Sequence, residues 1–436
     1  METLKFDLSK KLGKFKLLNA TNGGPWTEHA WTSRPKSNTS LSNFLEYEAA
    51  KIPYSRNHDS NICGEVYGGP YVHDVSVLFR NFDADESIPA SYDFACTDKT
   101  ILDTLEAGTK TFFRLGESIE PHVKKHGTVP PKDFHKWARI CEHIIRHYVE
   151  GWANGFTLDM DYWEIWNEPD LGKNLWDGTK EEFFDFYEIA AKHLKSKFPH
   201  LKIGGPALAK KEDWAEEFLS EMQKRAVPID FFSWHIYCNE PTKISAKAKR
   251  IRALLDRHGY EDTESICNEW NYLRSWSEMY ESAFAVIRTP KEAAFIAACM
   301  SEAQKSPIDL LMYYDTRPGF FCGAFHYYTR KPLPGYYPLF WYGNYFYGLT
   351  EVRHENEIPN VYTLCGVNED GKVCALVTYY SDDDTVGDKE LLLDFGKEAS
   401  YELFWIDNEH DATRPETIDR LSLCLPQNTC VLIKER

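Results

Sequence analysis

Apolar positions along this chain follow two rhythms in turn. Short runs with every second residue apolar, or continuously apolar, read as strands, and stretches with apolar residues at i, i+3, i+4 and i+7 read as helices. The strand-like runs are FKLLNATNGGP (15–25), IPYSRNHD (52–59), TKTFFRLGESIE (109–120), DYWEIWNEPD (161–170), LKIGGPAL (201–208), IDFFSWHIYC (229–238), TESICNEWNY (263–272) and IDLLMYYD (308–315). Helical stretches separate them. The first is weak, around Leu41, Phe44 and Leu45; the next, ILDTLEAG (101–108), closes on Gly108. Over 132–150, Trp137, Cys141, Ile144, Ile145 and Tyr148 share one face. Thr179 and Glu182 have capping-box spacing and open the helix striped by Phe183, Tyr187, Ala190, Leu194 and Phe198. Asp213 with Glu216 starts another, and further helices cover 243–258, 290–305 and 336–349.

Strand and helix thus alternate eight times over some 330 residues, which predicts parallel strands with helices outside, an α/β (β/α)8 TIM barrel over 12–349. A doubly wound open sheet is the alternative, but no GxGxxG opens a helix. Beyond residue 350 the helical period disappears. NVYTLCG, KVCALVTYY, KELLLDF, YELFWID, RLSLC and TCVLIKE are short strands split by turn residues, which predicts a smaller C-terminal antiparallel β-sandwich domain over 350–436. The alternating run in residues 1–11 can join it, and no low-complexity linker separates the two parts.

In a barrel of this kind, the C-terminal strand ends carry the chemistry. Here they hold Gly23 to Trp26, Arg56 with His58, Arg114 with Glu117, Asn167 with Glu168, His235 with Tyr237, Asn268 with Glu269 beside Trp270, and Tyr314 with Asp315. Glu168 and Glu269 close the fourth and seventh strands, and each follows an Asn and adjoins a Trp. In DYWEIWNEPD, alternation predicts a strand running through Glu168 until Pro169 stops it. An acid held there among indoles is expected to have a raised pKa, as a general acid needs. Two carboxylates facing each other across a sugar are the machinery of glycoside hydrolysis. With 67 acidic residues, the competing reading of either Glu as an ordinary surface or ion-paired acid is weakened by the repeated motif.

Composition narrows the partners. A formal charge of −17 disfavours nucleic acid and anionic membranes. An aromatic fraction of 15% suits either sugar-stacking faces or an aromatic-rich core. The 11 cysteines show no CxxC pair, the N-terminus lacks an apolar signal region, and no window is long enough to span a bilayer. A cytoplasmic enzyme is expected, or a periplasmic or secreted one if a signal peptide has been removed. His58, Asp59, His73 and Asp74 match no standard ligand spacing, so hydrogen-bonding roles are expected and no metal or cofactor. Arg56 and Arg114 are expected to brace acids or orient a carboxylate. Residues 271–289, with Arg274 and Trp276, are long for a barrel loop and suggest a lid.

WEIWNEPD (163–170) and ICNEWN (266–271) look like the motifs of the glycosidase clan with its acid/base on strand four and nucleophile on strand seven. Within it the chain most resembles glycoside hydrolase family 39, the family of β-xylosidases and α-L-iduronidase, through GGP near the start, SRNHD (55–59), SWHIYC (233–238) and NEWN (268–271) as well. SRNHD stands where the better-known members have a segment containing His-Gly. The resemblance implies Glu168 as acid/base, Glu269 as nucleophile of a retaining mechanism and Asn167 on the substrate 2-hydroxyl. It implies that His58, His235 and Tyr237 line the sugar subsite. Trp26, Trp270 and Tyr314 complete the expected substrate-binding set. The expected activity is exo-acting hydrolysis of glycosides or oligosaccharides bearing xylose-, arabinose- or galactose-type sugars, with the carboxylates ~5–5.5 Å apart. A catalytically silent carbohydrate-binding protein and a transglycosidase are the alternatives.

Overall fold

The predicted rhythm is realised as a closed barrel. In the computed structural model, which describes residues 1–27, 42–58, 72–319, 322–354, 356–410 and 412–436, eight parallel strands pair in the order β8-β1-β2-β3-β4-β5-β6-β7. They are β1 (Leu17–Asn22), β2 (Tyr54–Arg56), β3 (Lys110–Leu115), β4 (Tyr162–Ile165), β5 (Lys202–Leu208), β6 (Phe231–Cys238), β7 (Glu264–Tyr272) and β8 (Leu310–Tyr313). Helices α1 (Phe44–Ala49), α2 (Ala95–Glu106), α3 (Phe134–Val149), α4 (Lys180–Lys197), α5 (Glu212–Lys224), α6 (Thr242–Arg257), α7 (Pro290–Gln304) and α8 (Tyr336–Tyr345) follow the strands in turn.

Local chemistry explains several boundaries. The capping box at α4 is formed: the Glu182 amide donates to Thr179 Oγ1 at 3.1 Å, and the Thr179 amide donates to Glu182 Oε2 at 2.8 Å. At α5 the cap position is Lys211, without a side-chain bond; Asp213 lies inside the first turn, where its charge faces the helix N-terminus. β4 is shorter than alternation predicted. It ends at Ile165, because Trp166 (φ 73) and Glu168 (φ 46) adopt left-handed backbone conformations. The turn sends the Trp166 indole outward, where its Nε1 donates to the Leu175 carbonyl at 2.7 Å and its ring packs near Trp176 and Phe186. Pro169 opens a short 3-10 turn rather than stopping the strand.

Inside the barrel, side chains of alternate residues stack in layers. Ala20, Phe112, Tyr162, Phe231, Ile266 and Leu310 form an apolar floor. Two residues further along β1, β2, β3, β4, β6 and β7 the buried positions turn polar: Asn22, Arg56, Arg114, Glu164, Ser233 and Asn268. Period two therefore carries the interior from packing to chemistry within a single pleat.

The C-terminal part forms two sheets. A seven-stranded antiparallel sheet runs Glu416–Ile418, Tyr401–Ile406, Thr429–Glu435, Val373–Tyr379, Val361–Val367, Thr350–Glu351, Gly13–Lys14. A three-stranded sheet joins Glu2–Lys5, Lys389–Asp394 and Ser422–Leu425; its N-terminal strand pairs in parallel, the one exception to the antiparallel pattern. Leu4, Val377, Leu391, Leu403 and Ile433 fill the space between the sheets. The other face of the larger sheet lays Leu364, Leu376 and Leu432 into the barrel's own core cluster, and Ser301 of α7 donates to the Thr363 carbonyl at 2.7 Å. α7 is therefore buried on both sides, which is why its sequence is apolar nearly all round. Among the described residues no helix is long and apolar enough to cross a membrane.

Candidate active site

Arg56 organises the polar layer. From the end of β2 its Nε donates to Glu164 Oε2 at 2.7 Å, its Nη1 to Asn22 Oδ1 at 3.2 Å and to Glu269 Oε2 at 3.3 Å, and its Nη2 to Asn167 Oδ1 at 2.6 Å. Glu164 also accepts from Ser233 Oγ at 2.6 Å and Asn268 Nδ2 at 2.5 Å. A buried guanidinium is held by a buried carboxylate whose remaining acceptor sites are filled, the condition under which such a pair is tolerated. The arginine fork then reaches two of the candidate site residues, Asn167 after β4 and Glu269 on β7. Glu164 was not singled out in the sequence, although an acid in mid-strand, in phase with the floor residue Tyr162, is itself a signal.

Above this layer Glu168 and Glu269 converge on His235. His235 Nδ1 is hydrogen-bonded to Glu168 Oε1 at 2.8 Å and lies 3.7 Å from Glu269 Oε2. One ring nitrogen and one oxygen of each carboxylate all lie within 4.8 Å of one another. Tyr237 OH donates to Glu269 Oε1 at 2.6 Å. A register shift between Trp234 and His235 puts Asn268 and Glu269 both on the pocket side of β7. Burial pushes the Glu269 carboxyl up to about 7; His235, Arg56 and the Tyr237 hydroxyl pull it down, and the Glu168 charge adds to the rise. Burial also takes His235 down to about 4, with Arg56 and Lys247 adding to the fall, so the imidazole is neutral at pH 7. The same three atoms are close enough to share a cation, the only such trio among the described residues. The donor set does not suit one: the Arg56 guanidinium sits 3.3 Å from Glu269 Oε2, and Tyr237 occupies Oε1.

Residues 65–314 match the profile described as glycosyl hydrolases family 39. The chain belongs to that family. It is 31% identical over 284 residues to a β-xylosidase of Caldicellulosiruptor saccharolyticus, covering 58% of this chain and 55% of the relative. It is 28% identical over 255 residues to a β-xylosidase of Geobacillus stearothermophilus, covering 52% and 49%. The aligned region spans about half the length of the curated relatives it matches. Among solved structures, a glucosidase from Croceicoccus marinus superposes with a TM-score of 0.81 at 22% identity, over 100% of this chain and 98% of that one. A β-xylosidase from Caulobacter crescentus CB15 gives 0.72 at 18%, over 100% and 99%. Both share the fold.

The family 39 chain brings most of the sequence candidates to one place. Asn167 is buried, its amide orientation fixed by Arg56. His58 is buried with Nδ1 accepting from Arg114 Nε at 3.2 Å; burial and the charges of Arg56 and Arg114 hold it neutral, far below its ordinary pKa. Tyr314 follows β8, with its ring 6.4 Å from that of Tyr237. Trp26 is half-buried, with the Arg330 guanidinium 5.1 Å over its ring. Trp270 is the correction. With Asn268 and Glu269 both facing inward, Trp270 returns to the outside of the barrel, fully buried against Phe295 of α7 and Tyr313. It packs the helix layer and does not line the pocket.

Arg56 braces the acids as expected. Arg114 instead pairs with Asp74 at 2.7 Å, which also accepts from the Ser118 amide and hydroxyl. His73 meets Thr100 Oγ1 at 2.7 Å. His58, His73 and Asp74 are thus hydrogen-bonding residues; Asp59 lies outside the described residues. The 271–289 segment forms a 3-10 turn (Trp276–Glu278) and a helix (Met279–Val286), and the Trp276 ring lies 5.1 Å from that of Tyr237.

Proposed function

We propose that this glycosidase is exo-acting and retaining, and that it releases a terminal xylose-type sugar from an oligosaccharide or glycoside. The observation carrying this is the spacing of the pair. An oxygen of Glu168 and one of Glu269 within 4.8 Å favours the ~5–5.5 Å spacing of double displacement over the ~6.5–9.5 Å of inversion. The β-xylosidases among the relatives support the sugar.

In the reactive form Glu269 is ionised and Glu168 carries the proton. The Arg56 guanidinium and the Tyr237 hydroxyl, both on Glu269, favour that arrangement, whereas Glu168 meets a neutral imidazole. Glu269 attacks the anomeric carbon as the glycosidic bond breaks, and the Glu168 proton passes to the departing oxygen. A glycosyl ester on Glu269 results. Glu168, now a carboxylate, takes a proton from water as its oxygen attacks the anomeric carbon, and Glu269 departs ionised. Asn167, fixed through its Oδ1, presents its amide to the sugar 2-hydroxyl; His58, His235, Tyr237 and Tyr314 surround the ring, with Trp26 at the edge.

The test is the anomer first released from an aryl xyloside, followed by proton NMR. Retention is expected, and the opposite anomer would remove Glu269 from its role as nucleophile. Aryl arabinosides and galactosides in the same panel assign the sugar. Added methanol separates hydrolysis from transglycosylation, and binding without any cleavage would favour the silent sugar-binding reading.

A further inference from the structure

We infer that Asp382, in the C-terminal β domain, is a positioning residue that sets the leaving-group subsite: it clamps the turn after β7 so that the Trp276 indole stands at the pocket mouth as a stacking platform. The inference rests on the glycosidase reading of the Glu168–Glu269 pair and adds a subsite to it.

Asp382 lies just beyond the strand Val373–Tyr379 and reaches across to the barrel. Its Oδ2 accepts from Asn239 Nδ2 at 2.7 Å and Arg274 Nε at 3.0 Å. Its Oδ1 accepts from Tyr272 OH at 2.6 Å and Arg274 Nη2 at 3.1 Å, with Lys291 Nζ at 3.0 Å. Asn239 follows β6, Tyr272 ends β7, Arg274 begins the turn and Lys291 opens α7. One carboxylate thus joins the ends of neighbouring barrel strands to the β domain. Tyr380 OH secures the other side of Asn239 by donating to its carbonyl at 2.6 Å. A bidentate arginine pair of this kind fixes geometry as well as adding energy.

Two residues from a clamped position on either strand, the site begins. Tyr237 precedes Asn239 by two positions and holds Glu269; Trp276 follows Arg274 by two and packs against Tyr237 at 5.1 Å. Trp276 nonetheless keeps 57% of its surface exposed, while Glu269 below it keeps 7%. An indole at the rim of so deep a pocket touches the portion of the substrate outside it, which is the leaving group. Its flat apolar face, wet on one side, suits the C–H face of a sugar ring.

The test uses the full chain and the wild type beside Asp382→Asn, Arg274→Met, Trp276→Ala and the Asp382→Asn/Trp276→Ala double variant. The quantity read is the ratio of kcat/KM for a β-linked disaccharide to that for the glycosyl fluoride of the same terminal sugar, whose leaving group has no ring. A merely structural loss lowers both values together and leaves the ratio in place. The ratio is expected to fall about tenfold in each single variant and no further in the double variant. Arg274→Met cuts only the turn's tie, on a half-exposed side chain, so it reports even where Asp382→Asn folds poorly. An unmoved ratio in Trp276→Ala, or losses that multiply in the double variant, would overturn the inference. Wild type that cleaves neither substrate would overturn the glycosidase reading beneath it instead.

Discussion

Glu269 and Asp382 each accept from side chains at or just beyond barrel strand ends, Glu269 from Arg56 and Tyr237 and Asp382 from Asn239, Tyr272 and Arg274, yet their titrations move in opposite directions. Burial raises both. For Glu269 it wins, and the carboxyl stands at about 7 despite His235, Arg56 and Tyr237. For Asp382 the hydrogen bonds of Arg274, Asn239, Tyr272 and Lys291 outweigh it, and the carboxyl is held far below its ordinary value. The difference lies in how charge is compensated. Asp382 has two cationic partners within 3.1 Å and some water; Glu269 shares one arginine with Glu164 and faces a second carboxylate. The first arrangement stabilises the fold, and the second holds a destabilised group where a reaction can relieve it.

Glu269→Gln breaks the comparison hardest. Turnover is expected to fall by at least about a thousandfold, as measured with an aryl glycoside, because the amide cannot form the ester. Stability is expected to move the other way. The folded pKa is raised from 4.5 to about 7, so the native state loses stability as pH rises through that interval. The glutamine variant should therefore melt above wild type at pH 8, by on the order of 2–3 kcal/mol, and match it near pH 4. Equal melting at both pH values would show that Glu269 is not strained.

Asp382→Asn reverses that sign. A depressed carboxyl contributes its full stability above its unfolded value of 3.8 and loses it progressively as pH falls from there through the far lower folded value. The variant should lose about 2 kcal/mol at pH 7, moderated by solvent on its outer side, with the gap closing in acid. Thermal melts at pH 7 and pH 3 measure this.

The barrel was legible because each βα unit repeats the switch from period two to period 3.6, and Glu168 and Glu269 were legible because strand ends in such a barrel converge. Three things were not. The left-handed turns at Trp166 and Glu168 sit in a segment that alternates perfectly on paper, so strand β4, expected to run through Glu168, stops at Ile165 instead. The inward pairing of Asn268 with Glu269 depends on a register shift against β6, which no local pattern in NEWN records. The ties from Arg56 to Glu164 and from Arg274 to Asp382 span more than a hundred residues each and exist only once the barrel has closed.

Tyr237→Phe is the gentler probe of the Glu269 side. It removes the 2.6 Å hydrogen bond that favours the ionised form, so the pKa rises further. The acid limb of kcat/KM should move to higher pH by roughly one unit, and activity at pH 6 should fall about tenfold while recovering in part at pH 8. A uniform loss at every pH would mean that Tyr237 acts on the sugar and not on Glu269.

The smallest effect is expected at Trp270, one residue from Glu269 and on the other side of the strand. Its ring is fully buried against Phe295 and Tyr313, and its Nε1 finds no hydrogen-bond partner among the described residues. Trp270→Phe deletes that unpaired N–H, a gain of about 1 kcal/mol, and loses ring volume, a cost of similar size. Stability should therefore shift by no more than about 1 kcal/mol, and kcat/KM should stay within about twofold of wild type, since the substitution repacks the α7 layer and leaves the pocket face of β7 unchanged. A loss of tenfold or more in kcat/KM at unaltered melting temperature would put the indole in the sugar site after all, and would require the strand to carry Glu269 and Trp270 on the same face.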